Sequence, residues 1–411
     1  MVQTAPTALR LHIGLYGRRN AGKSSLINAL THQQVAIVSP VAGTTTDPVE
    51  KAMELLPLGP VLFIDTAGID DDQDGLGPLR VAATRRTLDR CEVALIVAGP
   101  AGWGDPERSW AEECRRRGLP TIAVFNHADV ATPDTDTVAS LRGAGVPVVT
   151  CSALTGAGVG QVREALIQAA PESYLTPPSL LGDLVPPGGL AVLVVPIDTE
   201  APKGRLIMPQ VQAIRDLLDH DALALVVKER ELRSALDRLG RPPDLVVTDS
   251  QAFLKVAGDV PDAVPMTSFS ILFARFKGDL ATLAQGAAAI DRLAPGDRVL
   301  IAESCTHHPI GEDIGRVKIP RWLTQYVGGQ LDIRTSAGRD FPDDLADNKL
   351  VIHCGSCTAN RRHMLSRMEA CRAAGVPITN YGLAIAWSLG IFPRALRPFP
   401  GVAETLARVH S

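Results

Sequence analysis

Aromatic residues are scarce in this chain, at 4% of 411 residues, and no long basic run is present. The formal net charge is −4. A protein whose main task is gripping nucleic acid needs cations along its footprint and rings for stacking. That class is disfavoured, and no nucleic-acid partner is expected. Long apolar runs are also missing: none approaches the roughly 18 residues of a membrane span. The opening "MVQTAPTALRLHIGLYG" runs into a strand pattern rather than a signal peptide. No membrane association and a cytoplasmic location are expected. Internal repeats, low-complexity tracts and a C-x3-C-x2-C motif of the radical-SAM type are absent. Cysteine is sparse, with seven in all. Cys91, Cys114, Cys151 and Cys371 are scattered and read as small buried hydrophobes. The other three fall in a pattern of their own.

What is present is the composition of an ordinary globular protein, 45% hydrophobic and 21% charged, long enough for two or three cores. Short apolar runs ("LHIGLYG", "VLFIDTAG", "VALIVAGP", "PTIAVFN", "PVVTCSA") alternate with periodic polar segments up to about residue 172. Alternation of this kind predicts a parallel sheet covered by helices. The segment 173–185, which holds the pair Pro177-Pro178 and runs up to the pair Pro186-Pro187, reads as a stiff linker. Three further strands with amphipathic helices between them span 186–265 and carry no chemical cluster, which suits an interaction or dimerisation module. The last part, 266–411, holds the cysteine segments. The expected fold class is thus an α/β chain of three domains: an N-terminal P-loop domain over 1–172, then two smaller α/β domains.

"GRRNAGKS" fits G-x-x-x-x-G-K-S from Gly17 to Ser24, after a predicted strand and before the helical "SLINALT". Backbone N–H groups of Ala21, Gly22, Lys23, Ser24 and Ser25 can wrap phosphates. Lys23 neutralises the outer phosphates and Ser24 ligates Mg²⁺. "FIDTAG" puts Asp65 at a strand end, near the Mg²⁺ shell, and lets Gly68 offer its N–H to the γ-phosphate. "AGTTTDP" supplies hydroxyls, with Thr45 the expected second Mg²⁺ ligand. "NHAD" offers Asn126, and Asp129 to accept the N1 and N2 hydrogens of guanine, while Ser152 and Ala153 of "CSAL" close the base pocket. The catalytic set is therefore expected to be Lys23, Thr45, Asp65 and Gly68.

Taken in order, these segments resemble a translation-factor-class GTPase domain, in the branch of Era-like and tRNA-modification GTPases. The resemblance implies GTP and GDP as ligands. Two departures stand out. His127 replaces the lysine of the N-K-x-D motif, which packs over the base. Ile69 stands where many GTPases place a water-orienting glutamine, so hydrolysis is expected to be slow without another source of charge. In this branch an asparagine early in the loop marks the use of K⁺ for that purpose, and Asn20 occupies the position. Asp70, Asp71, Asp72 and Asp74 read mostly as solvated.

"RVLIAESCTHHP" and "KLVIHCGSC" both end apolar strands. If those strands are neighbours, Cys305, Cys354 and Cys357 meet at one sheet edge. A helix predicted from "TANRRHMLSRMEA" would add its N-terminal dipole. Three thiolates with one open or histidine position suit a [4Fe–4S] cluster first, and Zn²⁺ with three cysteines and a histidine second. His307 and His353 are candidates for the fourth position or for support behind the ligands. His308 and His363 read as surface or supporting residues.

C-x-H, a long gap and H-C-x-x-C behind a GTPase domain resembles the [FeFe]-hydrogenase maturation GTPases. The resemblance runs along the chain through "PIDTEAPKGRLIMPQVQ", "SFSILFARFKGDL" and "NYGLAIAW". It implies a homodimeric scaffold with a [4Fe–4S] cluster. It further implies a transient diiron cargo, the precursor of the hydrogenase H-cluster. That cargo would be built by two radical-SAM maturases and passed to apo-[FeFe]-hydrogenase. The other reading from the residues is an RNA- or ribosome-associated GTPase with a structural zinc domain.

Overall fold

The computed structural model describes residues 5–31, 48–68, 77–196, 206–304, 313–338, 341–402 and 404. Thr45, Ile69, Asp70, Asp71, Asp72, Asp74, Cys305, His307 and His308 lie outside the described residues. The chain divides into two compact units, Met1–Pro177 and Pro178–Ser411.

The described residues of the first unit form six strands: β1 (Leu11–Tyr16), β2 (Val49–Leu55), β3 (Gly59–Asp65), β4 (Val93–Ala98), β5 (Thr121–Phe125) and β6 (Val148–Thr150). Their order is β2-β3-β1-β4-β5-β6. β1 and β4 are buried at every position, which is why they read as unbroken apolar runs. Separate apolar clusters form on the two faces of the sheet. Among the described residues only β2 runs antiparallel, paired with β3 from Val49↔Asp65 to Leu55↔Gly59. It is an edge strand that mixes charged and apolar residues, with Lys51 buried and Glu54 exposed, so "VEKAMEL" gives no apolar-run signal. Helices cover both faces, and two show why they start where they do. Asp134 accepts a hydrogen bond from Thr137 N at 2.8 Å to cap Thr135–Gly143. The buried Glu107 accepts from Gly104 N at 2.9 Å to open Asp105–Arg116.

The described residues of the second unit form two parallel sheets of four strands each. One has the order β10-β9-β7-β8, from β7 (Leu190–Val194), β8 (Leu223–Val227), β9 (Leu245–Thr248) and β10 (Met266–Ser268). The other is β12-β11-β13-β14, from β11 (Arg298–Glu303), β12 (Asp332–Ala337), β13 (Leu350–His353) and β14 (Ile378–Asn380). One apolar cluster, from Leu180 to Phe399, runs through both sheets. The helix Phe269–Lys277 follows β10 directly and buries Ile271, Leu272 and Phe273 in that shared core.

Two expected boundaries shift. The last domain was expected from 266, but Met266–Ser268 pairs with Val246–Thr248 and completes the middle sheet. A three-residue strand carries too little pattern to be read from sequence. The linker expected over 173–185 is packed in its second half. Leu180, Leu181 and Val185 are buried, and Asp216 Oδ2 accepts from the amides of Leu181 and Gly182 at 2.8 and 2.7 Å. Apolar side chains between the two Pro-Pro pairs gain more from burial than from spanning water.

Candidate functional site

The described nucleotide-site residues gather at the carboxyl edge of the first sheet, where open α/β sheets take their ligands. The loop Gly17–Gly22 joins β1 to the helix Lys23–Thr31. Its glycines are required by space. A Cβ on Gly17 would lie 2.2 Å from Val97 O, and one on Gly22, at φ +83°, would lie 2.2 Å from Asn126 Nδ2. Asn20 is exposed at φ +59°, a conformation asparagine tolerates. Lys23 Nζ donates to the carbonyls of Gly17 and Arg18 at 2.8 and 3.0 Å, which draws the side chain back over the loop. Ser25 is half-buried one residue beyond Ser24, and Gly68 closes the far side with its Cα beside Arg19.

Ser24 Oγ donates to Asp65 Oδ2 at 2.5 Å. Asp65 is buried, and its Oδ1 has no protein partner. Burial raises its pKa, and the Ser24 hydroxyl, Lys23 and Lys51 pull it back without cancelling the rise. A hydroxyl beside a buried carboxylate with an unused oxygen fits a hard cation such as Mg²⁺. The structure thus brings Lys23, Ser24 and Asp65 together.

The base side is built around Asn126. Its backbone N donates to Ala98 O at 2.9 Å, its Nδ2 to Ala21 O at 3.0 Å, and its Oδ1 accepts from Ala153 N at 3.0 Å. One side chain therefore ties the phosphate loop to the 151–157 loop. Asp129 is exposed, and its carboxyl is held below the usual range, chiefly by the Ser152 hydroxyl. It stays charged and ready to accept two hydrogens. His127 sits at φ +62° with a buried Nε2 that has no hydrogen-bond partner, beside Gly22. Sequence alone did not single out Arg18. Its Nε donates to the fully buried Glu107 at 2.8 Å and anchors the loop to the helix Asp105–Arg116.

The thiol site lies at the carboxyl edge of the last sheet. β11 and β13 are parallel neighbours, in register from Val299↔Leu350 to Ala302↔His353. Cys354 N donates to Ala302 O at 2.8 Å, and Ser304 N donates to Cys354 Sγ at 3.2 Å. The chain immediately before Cys305 is thus bonded to the Cys354 sulfur. Ser356 is left-handed at φ +54°, its Oγ 3.0 Å from Ser304 Oγ. Asn360 caps the helix Arg361–Ala373 by accepting from His363 N at 3.1 Å. Among the described residues no three His, Cys, Asp or Glu side chains converge as metal ligands. Cys354 and Cys357 are the two of the trio that are described.

His353 is fully buried. Arg367 Nη1 lies 2.8 Å from its Nε2, and its Nδ1 lies 2.8 Å from Cys354 O. Arginine only donates, so Nε2 accepts and Nδ1–H donates. Burial, with Arg367 beside it, pushes its pKa down to about 3. Both nitrogens are engaged, which fits support behind the ligands rather than ligation. His363 is buried in the first helical turn, not on the surface. Cys91, Cys114, Cys151 and Cys371 are all buried, and burial pushes the Cys91 and Cys371 thiols up to about 12 and Cys151 to about 11. They are inert packing groups, as expected.

Sequence reading also passed over Lys277. It is 2% exposed, and its Nζ donates to Ser356 O at 2.9 Å, Cys357 O at 3.2 Å and Ala359 O. Burial lowers its pKa to about 8 against the pull of Cys357 and Cys354. Burial, with Cys354 nearby, raises the Cys357 pKa, opposed by Lys277. A lone lysine in the apolar run "FSILFARFK" was the available signal.

Fold and loops together define a P-loop GTPase domain followed by two α/β domains. The profile of a 50S ribosome-binding GTPase domain matches residues 12–127. A tRNA modification GTPase MnmE of Nitrosospira multiformis is 32% identical over 157 residues, covering 38% of this chain and 34% of that protein. GTPase Era of Nostoc sp. is 33% identical over 178 residues, covering 42% and 55%. The chain thus spans about a third to a half of these relatives. A solved structure of Aquifex aeolicus Era bound to GDP·AlF4⁻ aligns over 89% of this chain and 98% of its own, at 17% identity and a TM-score of 0.36. The hydrogen maturase F dimerization domain matches residues 180–278, and the tetramerization domain of that maturase matches 281–398. The chain belongs to the hydrogen maturase F (HydF) family. Among the described residues no helix is long and apolar enough to cross a membrane.

Proposed function

We propose that this chain is a GTP-binding and GTP-hydrolysing scaffold that holds a [4Fe–4S] cluster. As a carrier it would receive the diiron precursor of the H-cluster and pass it to apo-[FeFe]-hydrogenase. The observation that carries the reading is the β11–β13 pairing, with Ser304 N on Cys354 Sγ. It brings the segment that leads into Cys305 onto the Cys354–Cys357 loop. An amide aimed at sulfur, a buried cation and a capped helix N-terminus all favour negative charge there. Cys305, Cys354 and Cys357 would hold the cluster, which when bound supplies one iron without a cysteine ligand. His353 orients the Cys354 carbonyl and is not the fourth ligand.

In the first unit Lys23 and the loop amides bind the phosphates, and Ser24 and Asp65, with Thr45, would hold Mg²⁺. Asp129 selects guanine. Asn20 would admit K⁺ as the charge that Ile69 does not help to supply. Hydrolysis serves as a switch: nucleotide-dependent loops change a surface read by the maturases and by the hydrogenase. The assembly is a homodimer able to pair into a tetramer, in keeping with the two matched domains.

The test is anaerobic iron–sulfur reconstitution followed by EPR of the reduced protein. A [4Fe–4S]⁺ signal that is lost in Cys354→Ala, while GTP hydrolysis persists, is the expected result. Stoichiometric zinc without an iron signal overturns the carrier reading in favour of a GTPase with a structural zinc domain.

A further inference from the structure

The end of the helix Phe269–Lys277 and the loop 354–360 hold each other in both directions. Lys277 Nζ donates to three loop carbonyls, those of Ser356, Cys357 and Ala359. In return Arg361 Nη1, just past the loop, donates to Phe276 O and Gly278 O at 2.8 and 3.0 Å. Those carbonyls end the helix and would otherwise need partners elsewhere. Lys277 also lies over the Phe273 ring, 5.4 Å from its centroid, which fixes the direction of its stem. The loop it grips carries a left-handed serine, a conformation that costs free energy and persists only when its surroundings hold it.

The lysine is a charge as well as a tether. It is 2% exposed, so water screens it little, and both Cys354 and Cys357 interact with it electrostatically. No charged side chain is needed merely to satisfy three carbonyls. A cation held among the backbone of a C-x-x-C loop suits an occupant that carries negative charge. Thiolate-bound iron–sulfur clusters are such occupants, and their potentials follow local charge.

We propose that Lys277 is the positioning residue of the thiolate site: it fixes the Cys354–Cys357 loop and biases the bound cluster toward its reduced, more negative state. The inference rests on the iron–sulfur reading above and says what sets that site apart from a neutral two-cysteine turn. The helix ties this control to the middle sheet, because Ser268, the last residue of β10, caps it by accepting from Ile271 N at 3.2 Å.

The experiment compares the reconstituted full chain with its Lys277→Met and Lys277→Arg variants. The readouts are a redox titration followed by EPR and the rate of iron loss to a chelator. Lys277→Met is expected to lower the reduction potential. At a fixed potential the reduced-to-oxidised ratio should fall about tenfold, equivalent to about 59 mV for one electron. Iron loss should be about tenfold faster. Lys277→Arg, which keeps the charge, should recover most of the potential shift even where retention stays impaired. If Lys277→Met folds with an unshifted potential, the lysine is only a structural tether and the proposal fails. If Lys277→Met does not fold, the arginine variant decides: a potential as low as that of a neutral site refutes the charge role. If the unaltered chain takes up no iron–sulfur cluster, the iron–sulfur reading itself fails, an outcome distinct from either of these.

Discussion

Replacing Asn126 tests whether the base motif acts by touching nucleotide or by joining the loops around it. The side chain is 4% exposed and makes two short hydrogen bonds, to Ala21 O and from Ala153 N, each 3.0 Å long, besides a weak one from Cys151 Sγ at 3.8 Å. Asn126→Ala removes both short bonds, each worth about 1 kcal/mol net, and leaves a buried carbonyl and a buried amide at roughly 1–3 kcal/mol each. Local relaxation recovers part of that, so a loss of about 2–4 kcal/mol is expected. If it falls on the bound arrangement, GDP affinity drops by roughly 30- to 1,000-fold. Asn126→Asp should be worse than alanine, although its shape is almost unchanged. It keeps the acceptor for Ala153 N but sets a charged oxygen against Ala21 O. Titration with a fluorescent GDP analogue measures both variants, and a thermal melt of the nucleotide-free chain checks that each is folded. Affinities within threefold of the parent for both, or aspartate binding better than alanine, would refute the loop-joining role.

Four further outcomes are expected. Ser24→Ala leaves Asp65 without its hydroxyl donor and removes one Mg²⁺ ligand, so the Mg²⁺ concentration for half-maximal GTP hydrolysis rises at least about tenfold; an unchanged Mg²⁺ titration counts against the assignment. His127→Lys places a cation where a buried imidazole nitrogen has no partner, and GDP binding should tighten about tenfold, read by the same fluorescence titration. Arg367→Leu strips the donors to His353 Nε2 and Gly338 O and should destabilise the last sheet by about 2–4 kcal/mol, seen as faster amide exchange across β13. Asp183 pairs with Arg275; burial pushes its carboxyl up, but the guanidinium outweighs that and the net shift is downward. The pair's contribution is therefore full above the ordinary carboxylate value and lost as pH falls through the depressed one. Asp183→Asn should lower stability by about 0.5–1 kcal/mol at pH 7, and the difference should vanish in acid, as melting curves at both pH values would report.

The strands legible from sequence were those buried on both faces, such as β1 and β4, where an apolar run has one meaning. β2 and β10 were not legible. One mixes charged with apolar residues at a sheet edge without a regular alternation, and the other is three residues long. The phosphate loop could be read because its glycines, lysine and serine are local in the chain and their spacing is the mechanism. The adjacency of the two cysteine strands could be inferred because ligands gather at strand ends, and the β11–β13 register agrees. Lys277 and Arg367 could not be inferred. Lys277 acts on residues 79 or more positions away and Arg367 on residues 14 and 29 away, through backbone carbonyls or a ring nitrogen that sequence does not display. Glu107 looked like an ordinary surface glutamate of a polar helix, and only the fold shows it fully buried beneath the phosphate loop.

The apolar cluster shared by the two sheets of the second unit governs how this chain can be taken apart. The two maturase profiles change over near residue 280, which looks like a natural place to cut. A cut there would strip Ile271, Leu272 and Phe273 on one side from Leu283, Ala284 and Ile301 on the other, all of them buried in the same core. Each fragment would display a fresh apolar face and aggregate rather than fold. A cut between Pro177 and Pro178 leaves both cores whole. Anyone exchanging parts between such proteins should treat 178–411 as one cassette.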